Sequence, residues 1–221
     1  HTGSQRAIRM SKFNVTEPQR SKQALLEDNR RLAKWVAELE RRIEEVRLLS
    51  DRDPLTNLYN RRYMQDALER EMQRATQGCY SVGVVILDLD HFKRFNDTFG
   101  HDAGDALLCA LGEVLKSRIR NKDSACRFGG EEFVLILPEA SLADATCLAK
   151  DLRVSIGNLK VKHRSQPLGP ITVSIGVAVF PAHGATADTV LRAADSALYQ
   201  AKVCGRDRIV NHAEIPEAEN F

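Results

Sequence analysis

The chain has 221 residues, of which 43% are hydrophobic, and its 32 basic residues nearly balance its 30 acidic ones for a net charge of +2. That length suits one domain of ordinary size plus an appendage, with enough apolar residues for a sizeable core. Charges this evenly mixed give no basic face or tail for nucleic acid or an anionic membrane, so any anion site must be local.

Two further features bear on the compartment. No apolar run approaches the roughly 18 residues of a membrane-spanning helix, and no secretory signal is recognisable. The five cysteines are odd in number, widely spaced and without a CxxC pair, which argues against a disulfide framework or a zinc site. We therefore expect a chain without a membrane span in a reducing cytoplasm.

The N-terminal residues predict a leader followed by a helix. The opening His1-Thr2-Gly3-Ser4 resembles the remnant of an expression tag, and we expect residues 1–15 to be a disordered leader. The segment Thr16-Glu17-Pro18-Gln19 matches a capping box, with a hydroxyl at the N-cap, proline in the first turn and glutamine three residues on. A helix should therefore begin at Thr16.

Residues 16–50 predict a dimerising coiled-coil stalk. An a/d heptad seam is formed by Leu25, Asn29, Leu32, Val36, Leu39, Ile43, Val46 and Ser50. β-Branched residues at a with leucine at d favour two parallel strands, and Asn29 at an a position would fix their register. The alternative is an amphipathic helix packed on its own domain. Trp35 makes one flank apolar, which suggests a surface for a regulatory protein.

The remainder of the chain predicts one layered domain over residues 51–212 and a tail over 213–221. Strand-like apolar runs at 82–88, 132–137 and 171–179 alternate with helical patterns near 60–77, 102–119, 141–156 and 187–203. Such alternation is typical of a sheet covered by helices, in an α/β or α+β arrangement.

Two apolar runs of this domain end or begin in carboxylates. Asp88 follows Val-Val-Ile-Leu, and the run Arg127-Phe128-Gly129-Gly130-Glu131-Glu132-Phe133 has the form of a hairpin, with glycines that tolerate positive φ and a backbone open to a ligand. A buried carboxylate needs a cation or a donor, and magnesium favours a few carboxylates together with phosphate oxygens. These residues predict a magnesium and nucleotide site, although strand-end carboxylates without metal are common.

Six ordered segments resemble the GGDEF family, the diguanylate cyclases. They are Asp53-Pro54-Leu55-Thr56-Asn57-Leu58-Tyr59-Asn60-Arg61-Arg62, Asp88-Leu89-Asp90-His91-Phe92-Lys93-Arg94-Phe95-Asn96-Asp97, Gly100-His101-Asp102-Ala103-Gly104-Asp105, the GGEEF hairpin, Ser174-Ile175-Gly176-Val177, and Ala194 to Lys202 followed by Gly205-Arg206. The resemblance implies a palm-like central antiparallel sheet flanked by helices, and condensation of two GTP molecules into cyclic di-GMP and two pyrophosphates. It also implies a homodimer, since each domain would bind one GTP, and assembly beyond a dimer stays open.

The resemblance also implies a set of site residues. The catalytic residues would be Glu131 and Lys93, and GTP would be bound by Asn96, Asp105, Phe92, Gly129, Gly130, Lys202 and Arg206. The ligands for Mg²⁺, or Mn²⁺ in its place, would be Asp88, the Leu89 carbonyl, Glu131 and Glu132. The amide of Asn96 and the carboxylate of Asp105 can between them satisfy the acceptors and donors of guanine.

A second constellation suggests product inhibition. Arg120-Asn121-Lys122-Asp123 is an RxxD pattern just before the hairpin, where the family has an inhibitory site for cyclic di-GMP, and Arg74 and Arg153 stand where the family places supporting arginines. The alternative function is a catalytically inactive receptor that binds cyclic di-GMP here and signals through the stalk.

Overall fold

The computed structural model describes residues 16–163 and 166–215. The predicted leader, residues 1–15, and most of the predicted tail lie outside the described residues. Tertiary contacts divide the chain into two units, with the boundary between Leu49 and Ser50. No helix in the described part is long and apolar enough to cross a membrane.

The described part of the first unit is one continuous helix, α1, which spans Thr16–Ser50 and so ends one residue past the boundary. The apolar seam positions within its described side chains are half or more exposed, namely Leu25, Leu32, Val36, Leu39 and Ile43. Trp35 is 73% exposed on a flank of the seam. The capping contacts predicted for Thr16 and the seam positions Val46 and Ser50 lie outside the described side chains. The helix thus carries an apolar stripe that its own residues leave uncovered.

The second unit is a sheet between helices. Its helices are α2 Arg61–Gly78, α3 Phe92–Phe99, α4 His101–Arg118, α5 Leu142–Gly157 and α6 Ala187–Val203. Its strands are β1 Val82–Leu89, β2 Ser124–Arg127, β3 Glu132–Pro138, β4 Lys162–His163, β5 Gln166–Pro167, β6 Val173–Phe180 and β7 Ile209–Asn211, followed by a 3₁₀ turn over His212–Glu214. The main sheet has the order β2-β3-β1-β6-β7, and β4 and β5 form a separate ribbon.

The central strand β1 is buried on both faces. Val85 and Leu87 pack in a core with α4 and α5, whereas Val84 and Ile86 pack in a second core with α2 and α6. Burial on both faces explains why this strand is apolar throughout rather than alternating, although its sheet partners β3 and β6 are antiparallel to it. The predicted layered architecture is confirmed, with one correction. β7 pairs parallel to β6, so the sheet is mixed.

One α-helix and four strands were not predicted. Helix α3 follows β1 directly and is only eight residues long. Its Lys-Arg and Asn-Asp pairs interrupt the apolar positions, so its helical hydrophobic period is too short to recognise. Strands β2 and β7 have four and three residues, and β4 and β5 two each, which is too short for a hydrophobic period to register.

Helix α6 lies against β6 at Gly176. An added Cβ at this glycine would stand 2.1 Å from the Ala194 carbonyl oxygen and 2.3 Å from the Leu198 nitrogen, which are both backbone atoms of α6. The absence of a side chain at Gly176 therefore sets how closely α6 approaches the sheet.

Gly176→Ala should lower the free energy of unfolding by at least about 2 kcal/mol, because the methyl group can be accommodated only by displacing α6. Urea unfolding followed by circular dichroism measures the change. Gly157→Ala is the matched control, since a Cβ there meets nothing within 4 Å, and its effect should stay below about 1 kcal/mol. Equal midpoints for the two variants would contradict the close approach of α6.

Candidate functional site

The site is built around the end of β1, where Asp88 leaves the apolar run. The Asp88 carboxylate lies on the face covered by α6, and its Oδ2 is 2.8 Å from Lys202 Nζ. Burial raises the pKa of Asp88, and the hydrogen bond and charge of Lys202 oppose that rise without cancelling it. Asp88 is therefore a costly carboxylate that one lysine only partly compensates.

The hairpin between β2 and β3 lies beside Asp88. In the register of the two strands, Asp88 stands opposite Glu132, and the Leu89 N–H donates to the Glu131 carbonyl over 3.3 Å. Burial, then the negative charge of Asp88, raises the pKa of the half-buried Glu131. The pairing thus brings Glu131 beside Asp88 and the backbone of Leu89, which precede it in the sequence by 43 and 42 residues.

The glycines of the hairpin serve a purpose other than the predicted one. Neither Gly129 nor Gly130 has a φ in the left-handed region, so the expectation that the turn depends on positive φ is wrong. Glu132 Oε2 instead lies 2.8 Å from the place where a Cβ on Gly129 would stand, and a Cβ on Gly130 would meet nothing within 4 Å. Gly129 accommodates the Glu132 carboxylate, and Gly130 leaves the backbone open to a ligand.

Arg127 links the hairpin to Asp53, a contact that the sequence did not predict. Its guanidinium donates to the Gly130 carbonyl over 2.8 Å and to both carboxylate oxygens of Asp53 over 3.1 and 3.2 Å. Asp53 also accepts hydrogen bonds from the Thr56 backbone N–H and hydroxyl. Because Arg127 and Asp53 are 74 residues apart, only the fold reveals the pair.

Asp90 is a second residue that sequence analysis did not single out. Its carboxylate accepts hydrogen bonds from the hydroxyls of Thr172 and Ser174, both at 2.7 Å, and from the Asp207 N–H at 3.0 Å. It thereby ties the end of β1 to β6 and to the loop that follows α6. The available signal was the Asp-Leu-Asp alternation, which puts Asp88 and Asp90 on one face of the strand.

Lys202 and Arg206 flank the end of α6. Lys202 is half-buried against Asp88, and Arg206 is exposed four residues later in the loop that Asp207 anchors. Arg206 is also close enough to Asp88 for its charge to lower that carboxyl pKa, as a minor effect after burial and Lys202. The structure therefore brings both predicted phosphate-binding residues to the Asp88 side of the sheet.

Helix α3 packs closely against α4. Phe92 is buried, whereas Lys93 and Asp105 are exposed. The Oδ1 atom of Asn96 is buried and has no hydrogen-bond partner. A Cβ on Gly104 would stand 2.0 Å from that oxygen, so Gly104 is required for Asn96 to lie where it does. An unpaired buried acceptor is costly in a folded protein and is what a donor on a bound base would satisfy.

The RxxD pair forms a separate cluster at the other end of β3. Arg120 Nη2 lies 2.7 Å from Asp123 Oδ1 and also donates to the Pro138 carbonyl over 3.1 Å. The Asp123 side chain is 1% exposed and accepts a further bond from the Arg120 backbone N–H, while the Arg120 side chain is 49% exposed. The pair is thus a fixed carboxylate with a half-open guanidinium.

The two supporting arginines differ in their surroundings. Arg74 is 72% exposed on α2, with Glu71 at 3.5 Å. Arg153 pairs with Asp207 on the loop after α6, where its Nε lies 2.8 Å from Asp207 Oδ1. The pKa of Asp144 is lowered mainly by hydrogen bonds from Ser141 and to a smaller extent by the charge of Arg120. The N-terminal end of α5, where Asp144 lies, is therefore the end nearer the RxxD pair. Arg153 lies nine residues further along α5, roughly 13 Å at 1.5 Å per residue.

The donor set fits a hard divalent cation. Among the described residues, no three His, Cys, Asp or Glu side chains form a metal cluster. Magnesium is usually held by one or two carboxylates plus substrate phosphates, and Asp88, Glu131 and the Leu89 carbonyl are donors of that kind. The raised pKa values of Asp88 and Glu131 indicate uncompensated negative charge that such a cation would relieve.

Comparison with known proteins gives consistent results. Residues 50–208 match the family model described as diguanylate cyclase, GGDEF domain. The chain is 43% identical over 163 residues to the response regulator PleD of Caulobacter vibrioides, covering 73% of this chain and 36% of that protein. The chain therefore spans about a third of the length of this curated relative.

Solved structures are similar over most of the chain. The coiled coil and GGDEF domain of DgcB from Caulobacter crescentus, solved with c-di-GMP, has 36% identity and a TM-score of 0.72, covering 83% of this chain and 98% of that one. The diguanylate cyclase SiaD of Pseudomonas aeruginosa, solved with its activator SiaC, has 34% identity and a TM-score of 0.70, covering 89% of this chain and 75% of that one. The chain belongs to the GGDEF-domain family of diguanylate cyclases.

Proposed function

We propose that this chain is an active diguanylate cyclase that condenses two GTP molecules into cyclic di-GMP and two pyrophosphates. The observation that carries the proposal is the convergence of Asp88, Glu131 and Lys202 beside the open backbone of Gly130. Both acidic motifs of the family are intact at this point, whereas an inactive receptor would be expected to have lost one of them.

Each of the two condensations forms one bond and breaks one. The 3′-oxygen of one GTP bonds to the α-phosphorus of the other, the bond from that phosphorus to the bridging oxygen breaks, and pyrophosphate leaves. Glu131 would accept the proton of the 3′-hydroxyl, and its raised pKa supports that role because it makes the carboxylate a stronger base. When bound, Mg²⁺ or Mn²⁺ supplies positive charge to the phosphate oxygens and the attacking hydroxyl.

The basic residues would hold and neutralise the triphosphate. Lys202 and Arg206 lie on the Asp88 side of the sheet and would bind the terminal phosphates. Lys93 is exposed in the first turn of α3 and would stabilise the charge that develops at the transferred phosphate. These contacts would fix the α-phosphate in line for attack.

Guanine would be recognised between α3 and α4. The buried, unpaired Asn96 Oδ1 can accept from a guanine donor, and the exposed Asp105 carboxylate can accept from the N1 and N2 edge. Phe92 would supply an apolar surface, and Gly104 gives the Asn96 amide the room that it occupies.

One bound GTP per domain makes the homodimer the active species in this proposal. The uncovered stripe of α1 supports pairing of two copies through the stalk, which would raise the local concentration of one domain near the other. Trp35, exposed beside that stripe, supports a regulatory protein as a further partner. The five unpaired cysteines favour the reducing bacterial cytoplasm as the compartment.

The RxxD pair would bind the product and inhibit the enzyme. The half-open guanidinium of Arg120 can contact guanine and phosphate, while Asp123 holds it in place. The second candidate function, an inactive receptor for cyclic di-GMP, rests on the same pair. It is less favoured because Asp88 and Glu131 are both present and adjacent.

Purified protein incubated with GTP and Mg²⁺ should accumulate cyclic di-GMP. Chromatography of the nucleotides at successive times measures this accumulation. Glu131→Gln should slow pyrophosphate release by about 10² to 10⁴-fold, because the amide cannot accept the proton. Glu139→Gln is the matched control, since this exposed glutamate follows the end of β3 remote from Glu131 and pairs with Lys122. No product from dimeric wild-type protein would favour the receptor, and wild-type rates for Glu131→Gln would remove Glu131 from its role.

Asp88→Asn should have opposite effects on the stability of the fold and on cyclase activity. Since the folded-state pKa of Asp88 is raised, its contribution to stability is greatest below the ordinary aspartate pKa of about 4 and is lost as pH rises. The Asn variant should therefore gain stability relative to the wild type as pH rises above about 4.

Cyclase activity of the same Asp88→Asn variant should fall at least about a hundredfold, since loss of even an outer-shell partner of a metal site costs up to that much. Urea unfolding at several pH values and initial rates with GTP measure the two effects. A variant that becomes less stable than the wild type with rising pH would contradict the raised pKa.

Arg120→Ala should raise the concentration of cyclic di-GMP needed for half-inhibition by about ten- to a hundredfold, the value of one or two charged hydrogen bonds. Initial rates with added product measure this. Lys122→Ala, which removes an exposed cation of the same turn but leaves the Arg120–Asp123 pair intact, is the control. Unchanged inhibition of the Arg120→Ala variant would show that the pair is structural only.

A further inference from the structure

The loop after α6 is held in an unfavourable backbone conformation. Gly205 has a φ of +108°, and the next two residues, Arg206 and Asp207, have φ values of +61° and +44°. Glycine adopts such angles freely, but residues with a Cβ do so at a cost. Two consecutive side-chain-bearing residues in the left-handed region therefore require contacts that fix them, and Arg206 is the residue proposed to bind the terminal phosphates.

Asp207 receives those contacts on three of its groups. Its N–H donates to Asp90 Oδ2 over 3.0 Å, and its backbone carbonyl accepts from Arg153 Nε over 2.8 Å. Its carboxylate accepts from Arg153 Nε at 2.8 Å and from Nη2 at 3.0 Å. Arg153 thus contacts both the backbone and the side chain of one loop residue, and Asp90 restrains the same residue from the sheet.

The geometry favours a role in orientation more than in stability. The side chains of Arg153 and Asp207 are 38% and 45% exposed, and ion pairs this open add little to the free energy of folding. A planar guanidinium with several fixed donors nevertheless determines the direction of the groups it binds, which a lysine with one flexible ammonium does not. α5 is anchored on the sheet by the buried Leu152 and Ile156 on either side of Arg153 in the sequence, so the guanidinium extends from a rigid support.

We infer that Arg153 is a positioning residue for GTP, which with Asp90 clamps Asp207 and so directs Arg206 toward the terminal phosphates. This inference rests on the proposed function. It gives Arg153 a role in binding the substrate GTP. The resemblance had instead implied that Arg153 supports Arg120 in the inhibitory site for cyclic di-GMP. Asp207, which belongs to none of the sequence motifs, connects Arg153 to Arg206.

The first test is steady-state kinetics of Arg153→Lys and Asp207→Asn. The KM for GTP should rise about three- to tenfold, as expected for loss of an exposed but oriented ion pair, with kcat changed by less than about twofold. The double variant should show no further loss, because both changes break the same contact. Lys150→Ala, at an exposed cation on the same helix, is the control and should leave KM unchanged.

The second test measures binding without turnover. Guanosine α,β-methylene triphosphate cannot release pyrophosphate, so its affinity can be measured even if the chain proves to have no cyclase activity. Arg153→Lys should weaken this analogue about three- to tenfold and leave GMP, which lacks the terminal phosphates, unaffected. A general loosening of the fold would weaken both ligands equally and would overturn the inference.

Inhibition by cyclic di-GMP distinguishes the two assignments of Arg153. Under the positioning role, the half-inhibitory concentration of cyclic di-GMP stays as in the wild type when GTP is kept at the same multiple of KM. Relief of inhibition with an unchanged KM for GTP would return Arg153 to the product site and overturn the inference.

Discussion

The arrangement of the site depends on the buried carboxylate of Asp90. An unpaired charge at this depth would be prohibitively costly, and the fold supplies three donors to it, from Thr172, Ser174 and Asp207. Those donors come from the β6 side of the sheet and from the loop after α6, so one carboxylate fixes the end of β1 against both. The position of Asp88, two residues earlier on the same face, follows from that anchoring.

A second brace acts on the hairpin from the opposite side. Arg127 joins Asp53, three residues after α1 ends, to the carbonyl of Gly130. Because the Arg127 and Asp53 side chains are only 16% and 17% exposed, water screens the pair weakly. A change in the chain direction near Asp53 would therefore be felt at the turn that carries Glu131. The two braces hold the two carboxylates of the site from separate parts of the chain.

The sequence predicted the parts of the site that are local. Asp88 and Glu131 could be found because each adjoins a long apolar strand, and α4, α5 and α6 because each carries a full helical period. The contacts of Asp90, Arg127 and Arg153 could not be predicted, since the partners in these hydrogen bonds are 54 to 117 residues away. Helix α3 was missed because its eight residues make little more than two turns.

The charge balance of the site connects its stability to its ligands. Burial raises the pKa values of both Asp88 and Glu131, so the folded chain carries negative charge that Lys202 compensates only in part. A bound group that adds positive charge beside these carboxylates would lower that cost, and by linkage it would stabilise the folded domain by an amount that grows with its concentration relative to its dissociation constant. The carboxylates that lower the stability of the fold are therefore those that a bound cation would contact, and the hydrogen bonds of Asp90 and Arg127 hold the strands around them in place.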